Sequence, residues 1–142
     1  MLRERAIKQH VLLFFVLLIV LVFCGCAEDI VDYPARTMPD GLLTDKIALD
    51  RGKSLFMDKC ASCHGKPGEG RSDRATFFEP PAPDFTDAHY QRMDPAYLYW
   101  RIEVGKSVEP FRRQGSVMPA WGMHLSEQQL WQIVAYLQVR AH

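Results

Sequence analysis

Apolar residues are distributed very unevenly along the chain, and their spacing divides it into three parts. Val11 to Phe23 is an unbroken run of Val, Leu, Ile and Phe. Residues 28–45 follow with Glu28, Asp29, Asp32, Asp40 and Asp45 among Pro34, Pro39 and Gly41, and show no helical or strand period. This stretch, residues 27–45, reads as an acidic tether. If flexible it would span about 20–25 Å. The alternative is that Ile30, Tyr33 and Met38 pack along the domain that comes after them.

Residues 46–142 carry helical patterning. Ala48, Gly52, Leu55, Phe56 and Lys59 recur at steps of three and four, predicting a helix from Lys46. Asp94-Pro95 is an N-cap with proline in the first turn, Leu98 and Ile102 form an i,i+4 pair, and Gly105 is the stop. Ser126 and Gln129 make a capping box, with Leu125 placed to staple onto Leu130. Leu130, Ile133, Val134 and Leu137 then line one face. No alternating segment competes, so the expected fold class is all-α, with three or more helices and long loops.

Composition adds one exclusion and one question. The 142 residues carry 17 Lys/Arg and 17 Asp/Glu, which leaves no polycationic surface for nucleic acid. Beyond the first 26 residues the balance is 14 to 16, mildly acidic. Arg3, Arg5 and Lys8 precede the apolar run, the layout of a secretory signal over residues 1–26. Gly25-Cys26 resembles a lipobox, which makes Cys26 the candidate lipid anchor, although Phe23 and Cys24 depart from the usual pattern. Gly25-Cys26-Ala27 also suits ordinary cleavage to a soluble form. A third reading keeps the segment as an uncleaved helix of about 25 Å, near the short limit for a bilayer. All three export the C-terminal domain to the outer side of a bacterial membrane.

The helical stripes look too sparse for so much Pro- and Gly-containing coil. Something other than side chains should fill the centre. Cys60-Ala61-Ser62-Cys63-His64 is C-x-x-C-H, the attachment signature of c-type haem. Two thiols three residues apart on a helical turn can form thioethers to the two vinyl groups of one porphyrin, and His64 then falls over the iron. A zinc site lacks a second ligand pair after Cys63. A thioredoxin-like motif lacks its βαβ context, and a plain disulfide remains as the bland reading.

On these residues the sequence resembles the class I c-type cytochromes. The resemblance covers about Ala48 to Val139. It rests on Arg51-Gly52-Lys53-Ser54-Leu55-Phe56, Cys60 to Gly65, Ser116-Val117-Met118-Pro119-Ala120-Trp121, and Trp131 to Leu137. It implies a cytochrome c-like domain around one haem c attached through Cys60 and Cys63. First and last helices would cross closely at a glycine, with Gly52, Phe56 and Tyr136 at the matching positions. It also implies a backbone carbonyl from the Pro80–Pro83 loop orienting the proximal histidine.

Met118, 54 residues after His64, is the expected sixth ligand. A thioether is a soft ligand for low-spin haem iron, Pro119 biases Met118 to extended backbone, and the family's distal Met also precedes a proline. Met123 and His124 could replace it if the loop rearranged. Met93 and His89 read as surface or packing residues, and Met57 is too near His64. Trp121, Tyr97 and Trp100 could line the haem edge or simply pack, and Arg112 and Arg113 read as solvated loop charges.

With His64 and Met118 both on iron, the expected chemistry is one-electron transfer rather than catalysis. The expected role is a monohaem carrier between a quinol-oxidising complex or dehydrogenase and a terminal oxidase or reductase. Two other roles stay open: an obligate cytochrome subunit of a larger membrane complex, and a ligand-binding sensor with a labile sixth ligand.

Overall fold

Two 14-residue helices, α1 (Lys46–Lys59) and α4 (Glu127–Arg140), form the frame on which the rest is hung. The computed structural model describes His10 and residues 13–14, 31–109 and 111–141. Cys26, Ile30 and nearly all of the apolar run Val11–Phe23 lie outside the described residues. The chain divides into a unit of residues 1–32 and a unit of residues 33–142. The described residues of the second unit are helical or irregular, with no strand. No helix of the described residues is long and apolar enough to cross a membrane.

Each long helix starts where its sequence says it should. The Asp45 carboxylate accepts from the amides of Ile47 and Ala48, satisfying donors that the first turn leaves without intrahelical partners. Ser126 and Gln129 form the reciprocal capping box at α4. A third helix, α3 (Pro95–Val104), is capped by Asp94 and stopped at Gly105. Between α1 and α3 lie the one-turn helix α2 (Ala61–His64) and two 3₁₀ turns, Asp73–Phe77 and Ala88–Gln91.

The two long helices meet at Gly52. A Cβ there would collide with the backbone carbonyl of Gln132 and sit 3.1 Å from Tyr136 Cβ. Only a residue without a side chain lets the backbones approach so closely. Beside the crossing, the rings of Phe56 and Tyr136 lie 5.4 Å apart. Leu130, Ile133, Val134 and Leu137, the expected stripe of α4, are all fully buried, and Leu98 and Ile102 of α3 join them in one core.

The ends of the frame are tied by charge. Arg140, buried at the end of α4, donates to the carbonyls of Gly65 (3.3 Å) and Lys66 (3.0 Å) just after α2. Its guanidinium also lies 4.6 Å from the Phe56 ring centre. The segment before α1 packs on α3. Tyr33 donates to Asp94 (2.7 Å), and its ring stacks on Trp100 at 6.0 Å and meets Tyr97 edge-on at 5.3 Å. Arg36 pairs with Glu103 at 3.0 Å and lies over Tyr99, and Met38 and Leu42 rest against the core.

Replacing Gly52 with alanine is expected to cost about 2–3 kcal/mol through overpacking of the crossing, lowering Tm by roughly 8 °C or more. A thermal melt followed by circular dichroism checks this, and an unchanged Tm would mean that the helices can separate at no cost.

Candidate functional site

The site is assembled from three segments that converge on one apolar cleft. The end of α1 and all of α2 supply Lys59, Cys60, Cys63 and His64. The irregular Phe78–Pro83 loop forms a second wall, and Lys106 with Ser116 to Pro119 and Trp121 completes the lining.

Local structure explains how the first segment presents its side chains. The amide of Cys60 still bonds Phe56, and those of Cys63 and His64 both bond the Cys60 carbonyl, so the motif is wound into one tight turn. Gly65 ends it with φ +74°, a backbone that strongly favours glycine, and a Cβ there would collide with the Gly70 carbonyl. Cys60 and Cys63 are free thiols, both half-buried, and both face the cleft.

His64 is buried, with its ring 4.7 Å from that of Phe85. Its Nδ1 lies 3.3 Å from the carbonyl of Pro83. A proton on Nδ1 donated to that carbonyl leaves Nε2 as the nitrogen with a free lone pair. Burial drives the imidazole down to about 4, and the nearby charges of Lys106 and Arg140 push the same way against the Pro83 contact. The ring is therefore neutral at physiological pH. Burial likewise pushes the Cys60 thiol up to about 12, with Cys63 adding to it.

Met118 is half-buried and lines the same cleft. Its loop is bound edge-on to the end of α3. The Lys106 amide donates to the Met118 carbonyl (3.1 Å), the Trp121 amide to Ile102 (3.0 Å) and the Gly122 amide to Glu103 (2.9 Å). Gly105, at φ +65°, makes this possible, since a Cβ would sit 2.5 Å from the Met118 carbonyl oxygen and 2.6 Å from that of Pro119.

Cys60, Cys63, His64 and Met118 are thus brought together. The other candidates are not. Met123 is 91% exposed, and His124, Met57 and His89 are exposed too, with His89 paired to Asp87. Met93 packs against the core. Trp121 lines the cleft, whereas Tyr97 and Trp100 pack under Tyr33. Arg112 and Arg113 are solvated, and both hold Glu109 at 3.0–3.1 Å. The carbonyl that the resemblance placed in the Pro80–Pro83 loop is that of Pro83. Lys106 carried no sequence signal of its own, since it reads as one more surface charge, yet it lines the cleft.

The donor set suits a covalently held porphyrin. Two thiols, a neutral imidazole with an oriented second nitrogen and a thioether border one apolar space. Among the described residues no group of three or more His, Cys, Asp or Glu could hold a bare metal ion.

Comparison with known proteins agrees with this chemistry. The sequence profile of the family described as Cytochrome C oxidase, cbb3-type, subunit III matches residues 47–137. The cbb3-type cytochrome c oxidase subunit CcoP of Rhodobacter capsulatus is 28% identical over 118 residues, covering 78% of this chain and 34% of the relative. CcoP of Cereibacter sphaeroides is 34% identical over 88 residues, 61% of this chain and 25% of the relative. The subunit FixP of Azorhizobium caulinodans is 27% identical over 111 residues, 78% and 33%. The chain spans about a third of the length of the curated relatives it matches.

The Gly105 contact yields a second prediction. Gly105→Ala forces a Cβ into a left-handed position and against the Met118 carbonyl. The expected loss is about 2–4 kcal/mol, combining backbone strain with overpacking. Urea unfolding of the variant reads it as a lowered midpoint at unchanged slope, and a midpoint equal to that of the parent protein would refute the contact.

Proposed function

Because this chain belongs to the family of subunit III of the cbb3-type cytochrome c oxidases, and so carries a cytochrome c domain, an electron carrier, we propose that it is a monohaem carrier of a respiratory chain. The observation that supports the reading most is the convergence of Cys60, Cys63, His64 and Met118 on one apolar cleft. Haem c, one per chain, supplies a reversible one-electron couple when bound. Cys60 and Cys63 would hold it through thioethers, and His64 Nε2 and the Met118 sulfur would be the axial ligands.

The protein's own groups then set the properties of the couple. The Pro83 carbonyl fixes the His64 tautomer and raises the basicity of the ligating nitrogen. The thioether of Met118 favours the reduced state and so raises the potential. The apolar walls keep water away from the site and act in the same direction.

Residues 1–26 serve export and anchoring, by lipid on Cys26 or as an uncleaved helix. Residues 27–45 link that anchor to the redox domain 46–142, and their part from Tyr33 onward lies docked on α3. The domain works at the outer side of a bacterial membrane. Donor and acceptor belong to the classes of quinol-oxidising complex or dehydrogenase and terminal oxidase or reductase.

A second reading, a fixed subunit of a larger complex, is favoured by the names of the relatives. The packing favours the mobile carrier. Trp131 is 3% exposed, and Tyr97 and Trp100 are covered by Tyr33, so the aromatic residues that would mark a permanent interface are used internally. Gentle solubilisation of native membranes and sizing of the haem-stained species separates the two readings. A discrete ~15 kDa species is expected of a carrier, and comigration with a large complex would establish the subunit.

The optical spectrum of protein made with a c-type haem maturation system tests the ligation. Sharp reduced bands of a low-spin haem and a weak sulfur-to-iron band in the oxidised form are expected. Met118→Ala should abolish that band, lower the potential and admit carbon monoxide while the haem stays covalently attached. A band that survives the substitution would move the sixth ligand elsewhere. Cys60→Ala with Cys63→Ala should yield little folded protein, and normal amounts of stable haem-free domain would overturn the reading. Cys26→Ser should release the protein only if Cys26 carries lipid.

A further inference from the structure

Arg101 lies in the last turn of α3, 6% exposed, in a position that the electron-transfer reading leaves unused. Among the described residues no carboxylate pairs with it. Nη1 donates to the Gly105 carbonyl (2.9 Å), while Nε and Nη2 are buried without a hydrogen-bond partner. What surrounds the guanidinium is aromatic. The ring centres of Trp100 and Phe111 lie 3.8 and 4.0 Å from its central carbon, and Tyr97 lies at 5.5 Å. A desolvated cation so close to ring faces gains most from their quadrupoles, and a planar guanidinium suits them better than an ammonium.

Phe111 belongs to the excursion of residues 107–117 that leads into Met118. Its carbonyl accepts from the Ser116 amide (3.3 Å), and the Ser116 hydroxyl accepts from the Met118 amide (3.5 Å). The Lys106 ammonium also lies 5.2 Å from the Phe111 ring, and the Lys106 amide holds the Met118 carbonyl. The excursion is therefore closed at its base by backbone bonds and pinned near its middle by one ring that meets Arg101 closely and Lys106 at longer range.

We propose that Arg101 and Phe111 are positioning residues for Met118: their stack, relayed through Ser116, fixes the loop that presents the thioether to the cleft. The inference rests on the ligand reading given under Proposed function. It predicts that the strength of the sixth ligand is set by a contact made seven residues before Met118.

The test uses the full-length, haem-loaded protein with Phe111→Ala, Phe111→Leu, Phe111→Tyr, Arg101→Gln and Arg112→Ala. Two readouts are followed: hydrogen exchange of the Lys106 amide, which can be measured whatever ligates the iron, and the rate of carbon monoxide binding to the reduced form. Phe111→Ala, Phe111→Leu and Arg101→Gln should each raise both rates about tenfold, the factor expected for losing one desolvated cation–π contact. The sulfur-to-iron band should weaken in parallel. Phe111→Tyr, which restores the ring, should return both rates to the parent values. Arg112→Ala, on the same loop but solvated, should change neither. Phe111→Leu keeps the test alive if Phe111→Ala does not fold. Parent rates in the Phe111→Leu and Arg101→Gln proteins, or an equal rise in Arg112→Ala, would overturn the proposal. A parent protein lacking the sulfur-to-iron band would instead overturn the ligand reading, and the Lys106 exchange would then decide the stack by itself.

Discussion

The approach of α1 to α4 at Gly52 is the contact on which the rest of the domain depends. A backbone-to-backbone crossing fixes both the distance and the angle between the two longest helices, because no side chain stands between Gly52 and the Gln132 carbonyl. Everything chemical is then placed by continuation of these two helices. α1 runs on into the turn that carries Cys60, Cys63 and His64. α4 ends at Arg140, whose guanidinium reaches back to the carbonyls directly after that turn. A lost crossing would therefore shift the proximal residues at both ends.

The distal side is built by different means. No helix carries Met118, so its loop borrows order from the end of α3 through three backbone hydrogen bonds and a glycine with positive φ. This division has a physical logic. A ligand on a helix is rigid because every neighbour in the helix holds it, whereas a ligand on a loop is only as firm as a few identifiable contacts. On the proposed ligation, His64 is thus held by many contacts and Met118 by a few that can be altered. The cleft between them is apolar and bordered by prolines and rings, which is why the loops around it contribute few buried side chains to the core.

Sequence patterning disclosed the helices because their signals are local and repeated. Asp94 and Ser126 cap their helices at the expected positions, the first helix starts at Lys46 as its period predicts with Asp45 as its cap, and the α4 stripe is buried as its period requires. The C-x-x-C-H turn and the Met118-Pro119 pair are likewise short-range features, and the fold brings their side chains to one cleft. What the sequence concealed was carried by single long-range contacts. Tyr33 and Arg36 lie in a stretch without period, and their partners Asp94 and Glu103 are more than sixty residues away. The Pro80–Pro83 loop was expected to supply a carbonyl to His64, but which residue supplies it, Pro83, was not legible, since every residue has that atom. Arg101 was hidden by its charge, since a helical arginine ordinarily faces water and only the fold surrounds this one with rings.

The segment from Tyr33 to Asp45 also bears on whether the domain works alone. A cytochrome domain built permanently into a larger assembly has no need to cover its own aromatic faces, because its neighbours do so. Here Tyr33 lies on Tyr97 and Trp100, Arg36 on Tyr99, and Trp131 is buried against Tyr99 at 4.4 Å. The most exposed large apolar residues of the described domain, Phe77 and Met123, come from different loops. On the proposed carrier reading, aromatic faces covered by the chain itself leave less apolar surface for a permanent partner, and smaller contacts dissociate faster. Rapid release is what one-electron shuttling demands, since a carrier that binds its donor tightly cannot leave with the electron. The relatives, which match this domain within chains more than twice as long, have no such requirement if the domain stays fixed beside its partner. The chain's own cover over α3 is therefore the feature that argues for mobility.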